Sequence, residues 1–483
     1  MTPRIPSELA WLRRATEAPR AACLLGSIFS LAGVAHAQSA AAPASSAPAT
    51  SSALSWHGIT LYGIVDLGLQ YDTHAAPFSD YFMAGSADIV QKNSRQAQSG
   101  VTSNNLSQSR VGLQGTEPLN FGDWSGVFKL ETFFNPASGQ LSDAAKSLVQ
   151  NNGRALNAQT TNLDSSVTGQ IFQQSFAGLS SPTYGTITFG RQNTVLADGI
   201  AKYDPNAASQ AFSLIGLSGT AAGGGDTQDR RMDSSLKYGV KYENFRLGAM
   251  YKFSDSANSG NSAVEVSLGG DYAGFSADAY YVKVKSAIAL AALSSAQVAT
   301  LPTLTQGFST STALAATVSD NTTFGLLAMY SFAPFKFYAG YENIKFANPE
   351  VGLPVGFDVS GYKLAIVNNN NYAQEKILQV YWAGVKYSVD PNLDVTLAYY
   401  GYHQSSFATV ANSGAANIGC STIVSTACSG ELRDFSLDAV YKLSKRFDAY
   451  AGVMYSGVAD GLANGYIYSK NNFNPTIGVR FTF

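Results

Sequence analysis

The side chains suited to acid–base or nucleophilic chemistry are scarce in this 483-residue chain, which holds four histidines and three cysteines. His403 is followed by Gln404, Ser405 and Ser406, so a base near a hydroxyl group could serve a hydrolase. Such a site also needs a partner that orients the base, and serine-rich stretches are common where strands end. Hydrolysis is therefore an alternative hypothesis, and loss of esterase activity in His403→Ala would support it.

The cysteines point to structure rather than to catalysis. Cys420 and Cys428 lie in a segment rich in Gly, Ser and Ala, and they could close a small disulfide loop in an oxidising compartment. A redox or metal pair would need a CxxC spacing and nearby histidines, which this pair lacks. The sequence predicts a disulfide, with no metal, cofactor or nucleotide motif.

The charged residues are more informative, because they alternate with apolar ones. In residues 245–253, FRLGAMYKF, Arg246 and Lys252 fall on one face of a strand and the aromatic residues on the other. Residues 474–483, NPTIGVRFTF, divide in the same way, with Arg480 on the polar face. A charged side chain facing lipid at mid-membrane costs about 2–4 kcal/mol, so in a membrane barrel the charged face lines a watery lumen.

The same alternation recurs along the chain and predicts an all-β protein, a transmembrane antiparallel β-barrel of about sixteen strands. A composition of 12% aromatic and 13% charged residues with mean hydropathy near zero fits a barrel, whose alternation hides its apolar face. The predicted strands are 59–71, 106–117, 124–134, 168–181, 186–192, 234–242, 245–253, 263–272, 275–285, 322–332, 335–346, 376–389, 393–404, 432–443, 447–458 and 474–483.

The connections between these strands alternate between short and long. Turns of a few residues, such as 243–244 and 273–274, alternate with longer loops such as 193–233 and 286–321. This rhythm is typical of a membrane barrel with tight periplasmic turns and long outer loops. The Ala/Ser/Thr-rich segment 286–320 is either a binding loop or a solvated outer cap, and the cap is favoured.

The N-terminus reads as a targeting segment. Four arginines precede an apolar run over 21–35 that ends in Ala35-His36-Ala37, a cleavage pattern for export. An Ala/Ser/Pro-rich stretch follows and is expected to be a flexible lead-in. The predicted organisation is a signal peptide over 1–37, a lead-in over 38–57 and a barrel over 58–483. The low charge gives no indication of a nucleic-acid partner.

Several motifs resemble Gram-negative general porins, with the order and spacing of the motifs carrying the resemblance. Residues 109–117, SRVGLQGTE, and 128–131, FKLE, are similar to the second and third strands of that family. The opening LYGIVD is closest to beta-proteobacterial porins. The remaining matches are ITFGRQ at 187–192 before a long third loop, SLKY at 235–238 and the terminal Phe483.

The resemblance implies a homotrimeric outer-membrane diffusion channel for small hydrophilic solutes and ions, in contact with outer-membrane lipid. It also implies a long third loop folded into the lumen, with acidic residues on that loop facing arginines on the wall. By matching segment, the third-loop acids would be Asp198 and Asp204. The wall arginines would be Arg110 and Arg191, with Arg231 or its neighbour Arg230 as a third.

Alternation within the strands supports part of this set. Arg110 opposes the apolar face of its strand, and Lys129 and Glu131 do the same in the next one. Arg191 shares the face of Phe189, so either a bulge at Gly190 re-aims it toward the lumen or it ends its strand in water. The expected pore-lining residues are the basic Arg110, Lys129, Arg191, Arg231, Arg246 and Arg480 and the acidic Glu131, Asp198 and Asp204.

This predicted pore lining favours anions, because the arginines match the porin pattern more closely than the acidic residues do. A solute-specific outer-membrane channel remains an alternative to general diffusion, as does the hydrolase barrel.

Overall fold

The computed structural model describes residues 54–82, 89–161, 171–215, 230–254, 260–304, 307–410, 416–418 and 428–483. The predicted signal peptide, most of the lead-in and Cys420 lie outside these residues. Among the residues described, no helix is long and apolar enough to cross a membrane.

Sixteen strands follow one another around a closed antiparallel barrel, as predicted. The barrel closes because β1 pairs with β16, with Ile64 opposite Thr482 and Gln70 opposite Thr476. The strands are β1 Ile59–Ala75, β2 in two parts (Gln96–Ser103 and Arg110–Pro118), β3 Ser125–Asn135, β4 Gln174–Ser181, β5 Gly185–Asn193, β6 Arg231–Tyr242, β7 Phe245–Lys252, β8 Ala263–Tyr272, β9 Phe275–Ala291, β10 Ala313–Phe332, β11 Phe335–Ala347, β12 Lys376–Ser388, β13 Leu393–Gln404, β14 Gly430–Lys442, β15 Phe447–Asp460 and β16 Asn471–Thr482.

The second strand differs from its prediction. The sequence predicts a loop up to residue 105, whereas Gln96–Ser103 pairs with β1 and the strand breaks over 104–109. Val101 is the one large apolar residue of QAQSGVTS, so the alternation signal is weak there. Asp66 fixes the break, because its carboxylate accepts hydrogen bonds from the backbone N–H groups of Leu106 and Ser107, both at 2.8 Å.

Aromatic residues on the outer face form two girdles, as in membrane barrels. One lies beside the short turns and includes Phe335, whose ring centroid is 4.9 Å from that of Tyr387. The other lies toward the long loops, where Phe435 is paired with Tyr455 and Tyr455 with Phe473. The outer face between the girdles is apolar, with exposed residues such as Leu268, Leu326, Leu397, Leu437 and Ile477.

The short turns are tight, as their backbone angles demonstrate. At 273–274, Ala273 has φ 48° and Gly274 has φ 83°. Two successive positive φ values are the signature of the two-residue turn whose twist matches that of the paired strands. The long loops are all at the opposite end of the barrel.

The long loops contain helices and short strands that are not part of the barrel wall. β9 and β10 extend past the barrel as a hairpin, so the predicted loop over 286–320 is strand up to Ala291 and again from Ala313. Its apolar residues Leu290 and Leu314 are buried. The loop elements are helices α1 Ala144–Val149, α2 Val195–Tyr203 and α3 Ser295–Leu304, the 3-10 turns Leu156–Ala158 and Gly461–Ala463, and the short strands Leu54–Trp56, Gln140–Leu141, Asp358–Val359, Tyr362–Asn369, Tyr372–Gln374, Ala408–Val410 and Ala416–Ile418.

Candidate functional site

The described part of the third loop that follows β5, residues 194–215, folds into the barrel lumen as predicted, beginning with α2. Thr194 caps this helix by accepting a hydrogen bond from Ala197 N at 3.0 Å. The buried carboxylate of Glu265 on β8 accepts further hydrogen bonds from Val195 N at 2.7 Å and Leu196 N at 3.2 Å. A carboxylate is favourable at a helix N-terminus, where backbone N–H groups have no partner within the helix. Glu265 therefore fixes the start of α2 to the barrel wall.

After α2 the loop is attached to the wall formed by β12 to β14. Trp382 Nε1 donates to Tyr203 O at 3.0 Å, and Asn206 Nδ2 donates to Ser436 Oγ at 3.0 Å. Tyr400 donates its hydroxyl proton to the Asp204 carboxylate at 2.6 Å. Because the loop touches both β8 and β14, it passes along a large arc of the inner wall.

Asp204 is buried, which differs from its expected place in the open lumen. Its other carboxylate oxygen accepts a hydrogen bond from Ala208 N at 2.7 Å, so the side chain organises the turn after α2. This burial raises the pKa of Asp204 above its usual value. Asp204 thus anchors the loop to the wall.

The break in β2 receives the far side of the third loop. Asn105 O accepts hydrogen bonds from Gln210 N and Ala211 N, both at 2.9 Å, and from Ser209 Oγ at 2.8 Å. These contacts exist because Asp66 holds the chain out of the strand at this point. Sequence reasoning missed the docking site, although Asp66 in the LYGIVD motif was visible as an inward acidic residue.

A second group of charged residues gathers on β2, β3 and β6. Glu131 lies 3.8 Å from Arg110 Nη1 and 3.4 Å from Lys129 Nζ. Its carboxylate also accepts hydrogen bonds from the Tyr62 hydroxyl at 2.8 Å and from Gln174 Nε2 at 2.7 Å. We call Arg110, Lys129, Glu131 and Arg231 the basic cluster.

Phe133 joins the two arginines of the basic cluster. The guanidinium carbon of Arg110 lies 5.4 Å from the ring centroid, and that of Arg231 lies 4.5 Å from it. Contact with the ring face stabilises a guanidinium without neutralising it. The cluster therefore contains three cations and one carboxylate.

Most other expected pore-lining residues form ion pairs. Arg480 lies 2.7 Å from Asp448, and its Nη1 donates to Ser107 Oγ at 2.8 Å. Lys237 pairs with Asp198 at 2.5 Å. Arg246 on β7 pairs with Asp271 on β8 and, at 3.0 Å, with Asp278 on β9.

Arg191 lies where the pairing of β5 and β6 is irregular. The register shifts between Gly190 and Gln192, and Gly190 has φ 131°, so the irregularity expected at Gly190 is present. Arg191 Nη1 is 2.5 Å from Asp233. Its charge is therefore balanced by a carboxylate on the neighbouring strand.

The histidine and cysteine candidates lie in the loop half of the barrel. His403 Nδ1 is 3.6 Å from Glu431 Oε1. Cys428 is disulfide-bonded, and its predicted partner Cys420 lies outside the described residues. The described residues include no group of three or more His, Cys, Asp or Glu side chains arranged to hold a metal ion.

Comparisons with known proteins agree with this geometry. A family model described as Gram-negative porin matches residues 21–460. An outer membrane porin protein of Bordetella pertussis is 28% identical over 199 residues, which span 41% of this chain and 43% of that protein. The match thus spans less than half of the relative's length.

Solved structures with the same fold include OmpT, an outer membrane protein of Vibrio cholerae. Its outer-membrane expressed form is 16% identical, with a TM-score of 0.51 over 89% of this chain and 100% of that one. A trimer form of OmpT is also 16% identical, with a TM-score of 0.50 over 88% of this chain and 99% of that one.

Proposed function

The chain belongs to the Gram-negative porin family, and we propose that it forms a water-filled outer-membrane channel for the diffusion of small hydrophilic solutes and ions, with a preference for anions. The basic cluster carries this proposal. Its three cations surround a single carboxylate, which leaves an excess of positive charge on one wall of the lumen.

The exposure of the charged groups supports the preference for anions. The side chains of Arg110 and Lys129 are 26% and 22% exposed, whereas that of Glu131 is 0% exposed. On the wall that contacts the third loop, Asp434 and Asp438 are buried. Water in the lumen therefore meets the cations of the cluster more than the buried carboxylates.

Two more exposed carboxylates near the third loop, Asp198 and Asp233, each have a cationic partner. Asp198 pairs with Lys237, and Asp233 with Arg191. Charges exposed along a narrow watery path act on ions more strongly than paired ones, because an ion pair cancels most of its own field at a distance. The net field of the lumen should attract anions.

The third loop and the basic cluster together would filter polar solutes. A solute with a dipole can orient in the field between charged walls, whereas an apolar solute must displace ordered water without compensation. We expect uptake into proteoliposomes to rise linearly with the concentration of a small sugar. Saturation at micromolar concentration would favour the solute-specific channel instead.

Assembly as a homotrimer is part of the proposal. The family resemblance and the trimer form of Vibrio cholerae OmpT support it. Light scattering of the detergent-solubilised protein should give three times the chain mass after subtraction of detergent. A monomer mass with intact conductance would remove the trimer from the proposal and leave the channel.

The hydrolase alternative rests on His403 and its contact with Glu431. His403 and Glu431 are register partners on β13 and β14, on the same face as the exposed Leu397 and Phe435. That face points away from the lumen where solutes would pass, so we propose a channel without enzymatic activity. Esterase activity in the purified protein that disappears in His403→Ala would contradict this.

A further inference from the structure

The loop between β3 and β4 makes contacts on both sides of the barrel mouth. In its residues 143–161, which we call the strap, Asp143 N donates to Tyr81 O at 2.8 Å and Thr161 N donates to Pro77 O at 2.7 Å. Tyr81 and Pro77 belong to the loop between β1 and β2. One side of the strap is therefore fixed above the first strands of the barrel.

The other side of the strap is held by the hairpin of β9 and β10. Asn152 Oδ1 accepts a hydrogen bond from Leu293 N at 2.7 Å, and its Nδ2 donates to Thr310 O and Ala313 O, both at 2.8 Å. Gly153 N donates to Leu293 O at 2.9 Å. A single asparagine side chain thus connects the strap to both halves of the hairpin.

A second polar contact and an apolar core reinforce this connection. The Tyr362 hydroxyl donates to Asp143 at 2.7 Å. The side chains of α1 within the strap pack with residues of the hairpin and of the loop between β11 and β12 in one buried cluster, which contains Ala145, Leu148, Val149, Leu290, Leu314, Leu353, Tyr362 and Leu364. Burial of this apolar surface keeps the strap associated with the hairpin.

These contacts join opposite sides of the barrel. In a closed ring of sixteen strands, β9 lies eight strands from β1, which is half of the circumference. The loop after β1, the strap and the hairpin after β9 start from opposite sides of the barrel and contact one another, so together they span the mouth. A polypeptide held at both ends across a channel mouth divides the opening that a solute can enter.

We infer that the strap is held closed across the mouth and sets an outer limit on solute size, separate from the third loop deeper in the lumen. Asn152 and Tyr362 determine this limit, because they hold the strap to the far side. The inference rests on the proposed diffusion channel, and it adds a specificity-determining segment to it.

The test is polymer exclusion in a planar bilayer, with polyethylene glycols of graded mass added to one side at a time. A polymer that enters the channel lowers its single-channel conductance, and a polymer that is excluded does not. In the double variant Asn152→Ala/Tyr362→Phe, we expect the cut-off for polymers added on the loop side to shift to larger masses. The cut-off for polymers added on the turn side should stay at the wild-type value.

Asn348→Ala is the matched control. Asn348 also makes side-chain hydrogen bonds to backbone groups, accepting from Tyr372 N and donating to Tyr372 O at 3.1 Å. Both partners lie within the loop between β11 and β12 and outside the buried cluster of the strap, so this variant removes side-chain hydrogen bonds without affecting the strap. Its cut-off should equal that of the wild type on both sides.

Hydrogen exchange provides the second readout. The amide of Gly153 should exchange faster in the double variant than in the wild type, because the contact with Leu293 is released. An unchanged exchange rate would overturn the assignment of Asn152 and Tyr362 as the residues that hold the strap. Faster exchange with an unchanged loop-side cut-off would overturn the outer size limit.

A covalent lock tests whether the strap stays closed during transport. A Cβ atom placed on Gly153 would lie 3.8 Å from Val298 Cβ, which suits a disulfide, for which about 3.5–4.5 Å is usual. We expect the oxidised double variant Gly153→Cys/Val298→Cys to keep the wild-type conductance and cut-off. Lower conductance that reduction restores would overturn a permanently closed strap.

Gly153→Cys alone is the control for the lock. It shows the effect of backbone strain, because Gly153 has φ 73°, which disfavours any side chain. It also shows the effect of reducing the native disulfide of Cys428, because it has no engineered disulfide to reduce. A wild-type protein with no conductance at all would refute the diffusion channel itself, whereas normal conductance with no variant effect would refute only the outer limit.

Discussion

The third loop and the strap both restrict the path through the barrel, but they are held by different interactions. The third loop is fixed by polar groups spread around the wall, from Glu265 on β8 to Tyr400 on β13 and Asn105 in the break of β2. The strap is held by an apolar cluster and a few polar contacts centred on Asn152. The inner restriction should therefore depend on buried polar groups, and the outer one on apolar packing together with the hydrogen bonds of Asn152 and Tyr362.

The largest effect should come from the residue that creates the inner docking site. In Asp66→Ala, Leu106 N, Ser107 N and the Tyr450 hydroxyl lose their acceptor. Each buried donor left without a partner costs about 1–3 kcal/mol, so we expect a loss of roughly 3–5 kcal/mol in the free energy of unfolding. Urea unfolding in detergent, followed by tryptophan fluorescence, measures this loss.

Asp66→Asn is the control for that variant, since its amide oxygen can still accept hydrogen bonds. It should retain most of the stability that Asp66→Ala loses. Equal stability of Asp66→Ala and the wild type would mean that the break in β2 does not depend on this carboxylate.

A smaller and more local effect is expected in the outer cap. Leu148 is 4% exposed within the apolar cluster, and Leu148→Ala should cost about 2–3 kcal/mol by leaving a cavity. Because the strap lies outside the barrel wall, hydrogen exchange should accelerate in 143–161 while the unfolding midpoint of the barrel changes little. A large shift of the barrel midpoint would show that the two regions are coupled.

The basic cluster predicts a moderate change in selectivity. A unit charge about 5 Å from an ion in water contributes about 0.8 kcal/mol, and it acts with opposite sign on anions and cations, so Lys129→Ala should lower the anion-to-cation permeability ratio by about fourfold or more. Glu131→Gln should raise the ratio, because it removes the cluster's carboxylate without altering the side-chain shape. Reversal potentials in a salt gradient measure both variants, and a change of the same sign in the two would contradict the assignment.

The smallest effect concerns pH and the third loop. The pKa of Asp204 is raised by burial, so the folded protein binds this proton more readily than the unfolded chain does. Stability from this group therefore falls as pH rises from the unfolded pKa of about 3.9 toward the raised folded value. The protection factors of the amides in 204–211, which are corrected for the intrinsic pH dependence of exchange, should be higher at the acidic end of that range.

Asp204→Asn should weaken this pH dependence, because the amide cannot ionise. The groups that interact with Asp204 include the Tyr400 hydroxyl, Ser213, the carboxyl groups of Asp434 and Asp438, and the amino group of Lys386. A pH dependence that persists unchanged in Asp204→Asn would assign it to another group, with Asp434 as the first to examine.

The barrel could be predicted from the sequence because each strand has one face toward lipid and one toward the lumen. In segments such as 245–253, apolar residues that face lipid alternate with polar residues that face the lumen. The extensions of β9 and β10 could not be predicted in this way, since ALAATVSD is packed within the cap and has no regular alternation. The cap therefore looked like a loop in the sequence.

The candidate site was predictable only residue by residue. Alternation predicted that Arg110, Lys129 and Glu131 face the lumen, and these residues meet in the basic cluster. The burial of Asp204 depends on Tyr400, which is 196 residues away along the chain, and no local pattern encodes that contact. The docking of residues 209–211 on Asn105 escaped prediction for the same reason.

The most direct test of the proposed function is the single-channel conductance of the purified wild-type protein in a planar bilayer with a salt gradient across it. The proposal predicts discrete, water-like conductance steps and a reversal potential of anionic sign. Steps with a cationic reversal potential would contradict the role of the basic cluster. The absence of steps from a correctly folded barrel would contradict the open diffusion channel.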